Sequence, residues 1–138
     1  MTILGIDFGQ KRIGLAISRR GIAFEYKTLE FKNQDSLLLE INQICQDEQI
    51  KKIVIGLSKT RENKIGFQAK RQLKFAKSLK NKLKIPIIFE NEIFTTREAG
   101  RILNEQKIKK RKLKKFVDSK AAQLILQSYL DKSPEKEN

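Results

Sequence analysis

The first thirty-one residues alternate in a way that closely paired β-strands satisfy. Thr2 to Asp7, Arg12 to Ser18 and Ile22 to Phe31 each read as a strand, and the gaps between them hold only three or four residues. Connections that short cannot cross over to a parallel partner, so the three strands form an antiparallel meander. The third carries Ala23, Glu25, Lys27, Leu29 and Phe31 on one face. By contrast, Ile53-Val54-Ile55-Gly56-Leu57 is almost wholly apolar. That is the pattern of a central parallel strand covered on both faces.

The segments between and beyond these strands read as helices that supply the cover. Asp35-Ser36 can cap a helix to about Gln49, with Leu38, Ile41, Ile44 and Cys45 turned inward. After a polar loop, Ser58 to Lys64, a basic helix runs from about Gly66 to Lys84. It buries Phe67, Leu73, Phe75, Ala76, Leu79 and Leu83 and leaves Lys70, Arg71, Lys74, Lys77 and Lys80 as solvent surface. Pro86 stops that helix and opens the strand Ile87 to Glu90. Thr95 or Thr96 caps a further helix ending near Gln106, a cationic connection follows, and a last helix runs from about Leu113 to Leu130. The order β-β-β-α-β-α-β-α-α is that of an α/β, ribonuclease H-like fold. It implies a mixed five-stranded sheet, three antiparallel strands followed by two parallel ones, with helices on both faces. Residues 1–130 form one domain, and 131–138 form a flexible C-terminal tail.

Composition narrows the chemistry. Among 138 residues there is no histidine, which excludes histidine triads, histidine general bases and histidine metal ligands. The single cysteine, Cys45, sits on an apolar helical stripe and reads as a buried thiol. No run approaches the roughly 20 apolar residues of a membrane span, and the N-terminus lacks a signal-peptide profile, so a soluble cytoplasmic protein without a membrane partner is expected. The formal net charge is +14, with 30 Lys and Arg against 16 Asp and Glu. Such an excess favours polyanions, because each neutralised phosphate releases counterions, and makes nucleic acid the expected partner.

The remaining candidates are carboxylates with hard, oxygen-seeking cations. Asp7 ends the first strand, Glu90 and Glu92 flank the end of the last strand, and Asp118 lies near the start of the last helix. Asp118 shares a helical face with Ala121, Ala122, Ile125 and Tyr129, so it continues an apolar, sheet-facing stripe. No arginine stands in obvious register to pair with it, which makes divalent Mg²⁺ or Mn²⁺ the economical partner. Gly9 permits the turn after Asp7, and Gly14 within the second strand admits another backbone or a phosphate. The run Lys107 to Lys115 precedes the Asp118 helix and reads as a phosphate clamp beside the site or as a solvated connection. Phe8 and Phe94 are the aromatics nearest the expected cleft, with core packing the simpler role for both.

Four blocks carry a resemblance. They are Gly5-Ile-Asp-Phe-Gly-Gln-Lys-Arg-Ile-Gly-Leu-Ala16, Ile53-Val-Ile-Gly-Leu57, Glu92-Ile-Phe-Thr-Thr96 with Glu98-Ala99, and Val117-Asp-Ser-Lys-Ala-Ala122 with Ile125-Leu126 and Tyr129-Leu130. In order and spacing they resemble the signature blocks of the YqgF (RuvX-like) family, bacterial ribonuclease H-like proteins described as Holliday-junction resolvases and assigned to 5′-end maturation of 16S ribosomal RNA. The resemblance implies a metal-dependent endonuclease with Asp7, Glu92 and Asp118 as catalytic metal ligands. Lys11, Arg12, Lys109, Lys110, Arg111 and Lys112 are then positioned to hold nucleic acid. Its substrate would be structured RNA, the precursor of 16S rRNA in a ribosomal precursor particle, with branched DNA and a non-catalytic RNA-binding assembly role as alternatives. The acting form is a monomer or homodimer. Asn91 and Ile93 stand where the family has Asp and Arg, and Ser58 where it has Pro. Gly5-Ile-Asp-Phe-Gly also resembles the first phosphate loop of actin-like and sugar kinases, but the chain is too short for their two lobes.

Overall fold

The computed structural model describes residues 1–58, 65–91 and 110–132, with side chains from 118 onward in the last segment. Strands β1 (Thr2–Phe8), β2 (Arg12–Arg19) and β3 (Ile22–Glu30) are followed by α1 (Gln34–Asp47), β4 (Ile50–Leu57), α2 (Phe67–Lys82), β5 (Ile87–Asn91) and α3 (Lys110–Lys132). They build one five-stranded sheet in the order β3-β2-β1-β4-β5. The β1/β2 and β2/β3 pairs are antiparallel, and the β1/β4 and β4/β5 pairs are parallel. This is the mixed sheet expected from the sequence. The helix expected over 95–106 lies outside the described residues.

Alternation sorts the strands onto two unequal layers. Leu4, Ile6 and Phe8 of β1, Ile13, Leu15 and Ile17 of β2, and Ile53 and Ile55 of β4 meet α1 and α2 in the larger core. There Phe8 stacks on Phe75 with ring centroids 4.2 Å apart, and on Phe31 at 5.8 Å, so Phe8 is a core residue. Cys45 is buried in the same core, and burial pushes its thiol pKa up to about 11, which keeps it protonated and inert. On the opposite face, Ile3, Ala16, Ala23 and Val54 meet Ala122, Ile125 and Leu126 of α3. With helices on both faces, β4 needs the apolar run that its sequence shows.

Several local expectations are corrected. The single alternation read for the third strand is broken, because Leu15 pairs with Lys27 while Ala16 pairs with Glu25, leaving Tyr26 as an extra residue. This β-bulge turns Ala23 toward α3 and lets Leu29 join the larger core. The cap of α1 is Asn33, whose side chain accepts from the Ser36 N–H at 2.8 Å, two residues earlier than Asp35. On α2, Phe75, Ala76, Leu79 and the following Leu83 are buried as expected, but Phe67 and Leu73 are exposed. Helix α3 begins at Lys110 rather than Leu113, so Lys110, Arg111 and Lys112 occupy its first turn instead of a connection. It also continues through Asp131 and Lys132, into the expected tail, where Gln127 Nε2 donates to Asp131 Oδ1 at 2.9 Å.

The tightest approach at any of the described glycines fixes α3 on the sheet. A Cβ on Gly14 would lie 1.9 Å from the Asp118 carbonyl oxygen, and one on Gly5 would lie 2.8 Å from Leu126 Cβ. No side chain fits the first gap, and the atom in the way is backbone, which cannot swing aside. Gly14→Ala should therefore lift the start of α3 and lower stability by about 3 kcal/mol or more, at the upper end of overpacking costs. Urea unfolding of parent and variant measures this, and equal midpoints would mean that α3 is not seated on β2.

Candidate active site

Asp7 lies at the penultimate position of β1, and the chain must turn at once to begin β2. Gly9 makes that turn possible, because its N–H donates to the Arg12 carbonyl at 2.9 Å and a Cβ there would crowd the same oxygen at 2.8 Å. The antiparallel register then sets Asp7 directly opposite Gly14. Residues opposite one another point to the same face, within about 4.5–5.5 Å. The Asp7 side chain thus stands, largely buried, beside the gap that Gly14 leaves, and the backbone of Asp118 fills that gap. Two carboxylate-bearing residues 111 positions apart (118 − 7) are brought to one spot by a missing side chain.

Asp118 has a basic partner that its sequence position did not reveal. Arg12 Nε donates to Asp118 Oδ2 at 2.8 Å. Arg12 opens β2 two residues before Gly14, so it emerges on the same face as the helix start. The expectation that Asp118 lacks an arginine in register is therefore corrected, since the pairing depends on α3 folding back across 106 residues. The ion pair does not fully offset burial. Desolvation raises the Asp118 pKa above the ordinary carboxylate value, and Arg12 pulls it only part of the way back. For a carboxyl raised in this way, stability falls as pH rises from the ordinary carboxylate pKa through the raised one, because the folded state then holds more protons than the unfolded chain.

The neighbouring polar groups hold α3 in register. Ser119 Oγ donates to Glu25 Oε1 at 2.7 Å, beside Asp118. Glu90 is not part of the Asp7 pair: its buried carboxylate accepts from Ser128 Oγ at 2.7 Å and pairs with Lys132, clamping the far end of α3 to β5. Lys11 is exposed on the β1–β2 turn. Glu92 and Lys109 lie outside the described residues, as do the side chains of Lys110, Arg111 and Lys112. Among the described residues, no three carboxylate or thiol groups cluster closely enough to hold a metal by themselves.

Residues 1–132 match the family model RuvX, described as Holliday junction resolvase. A protein of Clostridium acetobutylicum named "Putative pre-16S rRNA nuclease" is 37% identical over 137 residues, covering 95% of this chain and 98% of the relative. One of the same name from the Aster yellows witches'-broom phytoplasma is 39% identical over 142 aligned positions, covering 98% and 94%. Among solved structures, the fowlpox virus Holliday junction resolvase superposes with a TM-score of 0.60 at 16% identity, covering 96% of this chain and all of that one. The Thermus thermophilus RuvC bound to a Holliday junction superposes with a TM-score of 0.57 at 12% identity, covering 94% and 93%. These two likenesses establish the fold alone. The family match over nearly the whole chain, carried by relatives of equal length, decides the assignment: the chain belongs to the RuvX family.

Proposed function

We propose that this chain is a nuclease that hydrolyses phosphodiester bonds of structured nucleic acid with a divalent cation, Mg²⁺ or Mn²⁺, and that its substrate is the precursor of 16S rRNA. The observation that carries the reading is the juxtaposition of Asp7 and Asp118 across Gly14. The donor set fits such a cation. It offers hard carboxylate oxygens largely withdrawn from water. Asp7 and Asp118 would hold the ion, with Glu92 of the strand-end block completing the set. When bound, it supplies activation of the attacking water and neutralises charge on the phosphoryl oxygens in the transition state.

The chain's own residues supply orientation. Arg12 fixes the Asp118 carboxylate through Nε, and its remaining guanidinium N–H groups suit a phosphate oxygen at the mouth of the site. Lys11, exposed on the adjoining turn, adds a second cation. The first turn of α3 carries Lys110, Arg111 and Lys112 and no acid. Cations there oppose the positive end of the helix dipole, an arrangement that a polyanion relieves. The substrate assignment rests on the names of the full-length relatives. Branched DNA is the second reading, favoured by the description of the matching family model.

Labelled precursor rRNA and a four-way DNA junction, incubated in parallel with Mg²⁺, Mn²⁺ or chelator, separate these readings. Metal-dependent cleavage of the RNA supports the first, junction cleavage alone the second, and binding without cleavage leaves a non-catalytic assembly factor. Asp7→Asn should reduce metal-dependent cleavage by more than about 100-fold, since even outer-shell partners of a metal contribute 10- to 100-fold. Equal rates for variant and parent would remove Asp7 from the site. Millimolar Mn²⁺ or Mg²⁺ should raise the melting temperature of the parent, by mass action on the folded state, and raise that of Asp118→Asn less. Replacing Lys109, Lys110, Arg111 and Lys112 with Gln should flatten the salt dependence of nucleic-acid binding, each lost phosphate contact reducing the log-log slope by about 0.7 to 0.9. An unchanged slope in a salt titration would return the segment to the role of a solvated connection.

A further inference from the structure

Phe67 is the most exposed large apolar side chain among the described residues, at 80% of its full accessible area. It opens α2, and Lys70, Arg71 and Lys74 follow it at the i+3, i+4 and i+7 positions. All four therefore share one helical face. Scattered exposed apolar residues are ordinary on protein surfaces, but this one is followed on its own helical face by three cations on a chain of net charge +14. An apolar protein partner would have to desolvate those cations to reach it. A partner with both an aromatic plane and negative charge meets neither penalty, and an unpaired nucleotide is that partner.

The position of this face is fixed against the candidate site. Gln68 Nε2 donates to the Phe8 carbonyl at 2.9 Å, so the first turn of α2 is bonded to the residue that follows Asp7. Arg71 reaches the same turn. One guanidinium nitrogen contacts the Gly9 carbonyl at 3.5 Å, another donates to Gln68 Oε1 at 3.0 Å, and the group lies 5.5 Å from the Phe8 ring centroid. Asp7 points to the α3 side of the sheet while α2 lies on the other. A strand leaving the carboxylates must therefore pass over the Gly9 turn to reach Phe67.

The geometry points to a second contact surface for nucleic acid. The face Phe67–Lys70–Arg71–Lys74 holds a single-stranded segment next to the site, with Phe67 stacking on one unpaired base. Resting on the nuclease reading, it adds a substrate requirement for unpaired nucleotides beside the cleaved bond. Stacking does not distinguish bases, so the surface selects single strands rather than a sequence. Phe67, like Leu73, is a residue that helical spacing misassigned to the core. A first-turn position leaves a side chain beyond the end of the layer that α2 covers.

The test is equilibrium binding, in chelator, of a fluorescent single-stranded oligoribonucleotide, the same sequence as deoxyribonucleotide, and the same sequence as a blunt duplex. Phe67→Ala should weaken both single strands by about 5- to 150-fold, the range that base stacking on an aromatic supports, and leave the duplex unchanged. Phe67→Tyr should bind as the parent does. Because the side chain is exposed, the melting temperature of all three proteins should agree. Discrimination between the two single strands would show whether the sugar contributes. Single-strand affinity unchanged in Phe67→Ala, or a parent with no preference for single strands, overturns the proposal. These outcomes are independent of cleavage. If Asp7→Asn cleaves like the parent while Phe67→Ala loses single-strand binding, the carboxylate site falls and this surface stands.

Discussion

The close seating of α3 on β2 is the contact on which the candidate site depends. With the Asp118 carbonyl where a Gly14 side chain would be, the helix lies low on the sheet, and Gly5, Ala16, Ala121 and Ala122 keep the rest of that layer thin. One consequence is chemical. A helix this close to the strands buries the base of the Asp118 side chain and raises the cost of its charge. The same approach brings the carboxylate within reach of Arg12 and the Asp118 backbone beside the strand position opposite Asp7. Packing and electrostatics are thus set by one glycine, and the aspartates it brings together stand on rigid elements rather than loops.

The two faces of the sheet are held by different means. Large side chains fill the layer under α1 and α2, where Phe8, Phe75 and the Ile and Leu residues of β1, β2 and β4 interdigitate. The α3 layer has a smaller apolar cluster, and polar bonds along the helix supplement it. Gln123 Nε2 donates to the Ala23 carbonyl at 3.0 Å, Gln127 Oε1 accepts from the Ala23 N–H at 2.9 Å, and Lys52 Nζ donates to Tyr129 at 2.9 Å. Apolar contacts tolerate sliding, whereas these bonds do not, because each missed partner leaves a partly buried polar group unsatisfied. From Asp118 onward, the helix is held in one register.

The sequence makes legible whatever depends on local periodicity. Alternation located β1 and β2, a wholly apolar run located β4, and helical spacing placed Asp118 on the same stripe as Ala122 and Ile125. What stayed hidden depends on contacts distant in the chain or on the ends of elements. The Arg12–Asp118 pair spans 106 residues and follows from no local pattern. The bulge at Tyr26 reverses a strand's faces without any glycine to mark it. The run Lys107 to Lys115 reads as a phosphate clamp or a solvated connection, and its spacing does not show that Lys110 to Lys112 already belong to α3. Phe67 has core chemistry and helical register, yet only the extent of the covered layer decides that it is exposed.

Charge then links the two faces. The first turn of α3 holds Lys110, Arg111 and Lys112 in sequence, the α2 face holds Lys70, Arg71 and Lys74, and Lys11 on the β1–β2 turn is followed by Arg12 at the start of β2. The arrangement costs free energy in isolation, since cations at a helix start oppose the dipole and a net charge of +14 repels itself. A polyanion passing over the sheet edge removes both terms at once. Beside Gly14, Asp7 is buried and Asp118 half-buried, and Asp118 is already paired with Arg12. The fold therefore separates attraction from chemistry. Under the proposed function, the cations of the β1–β2 turn and the α2 face attract the phosphate backbone, and the two aspartates beside Gly14 are of the kind a divalent cation neutralises.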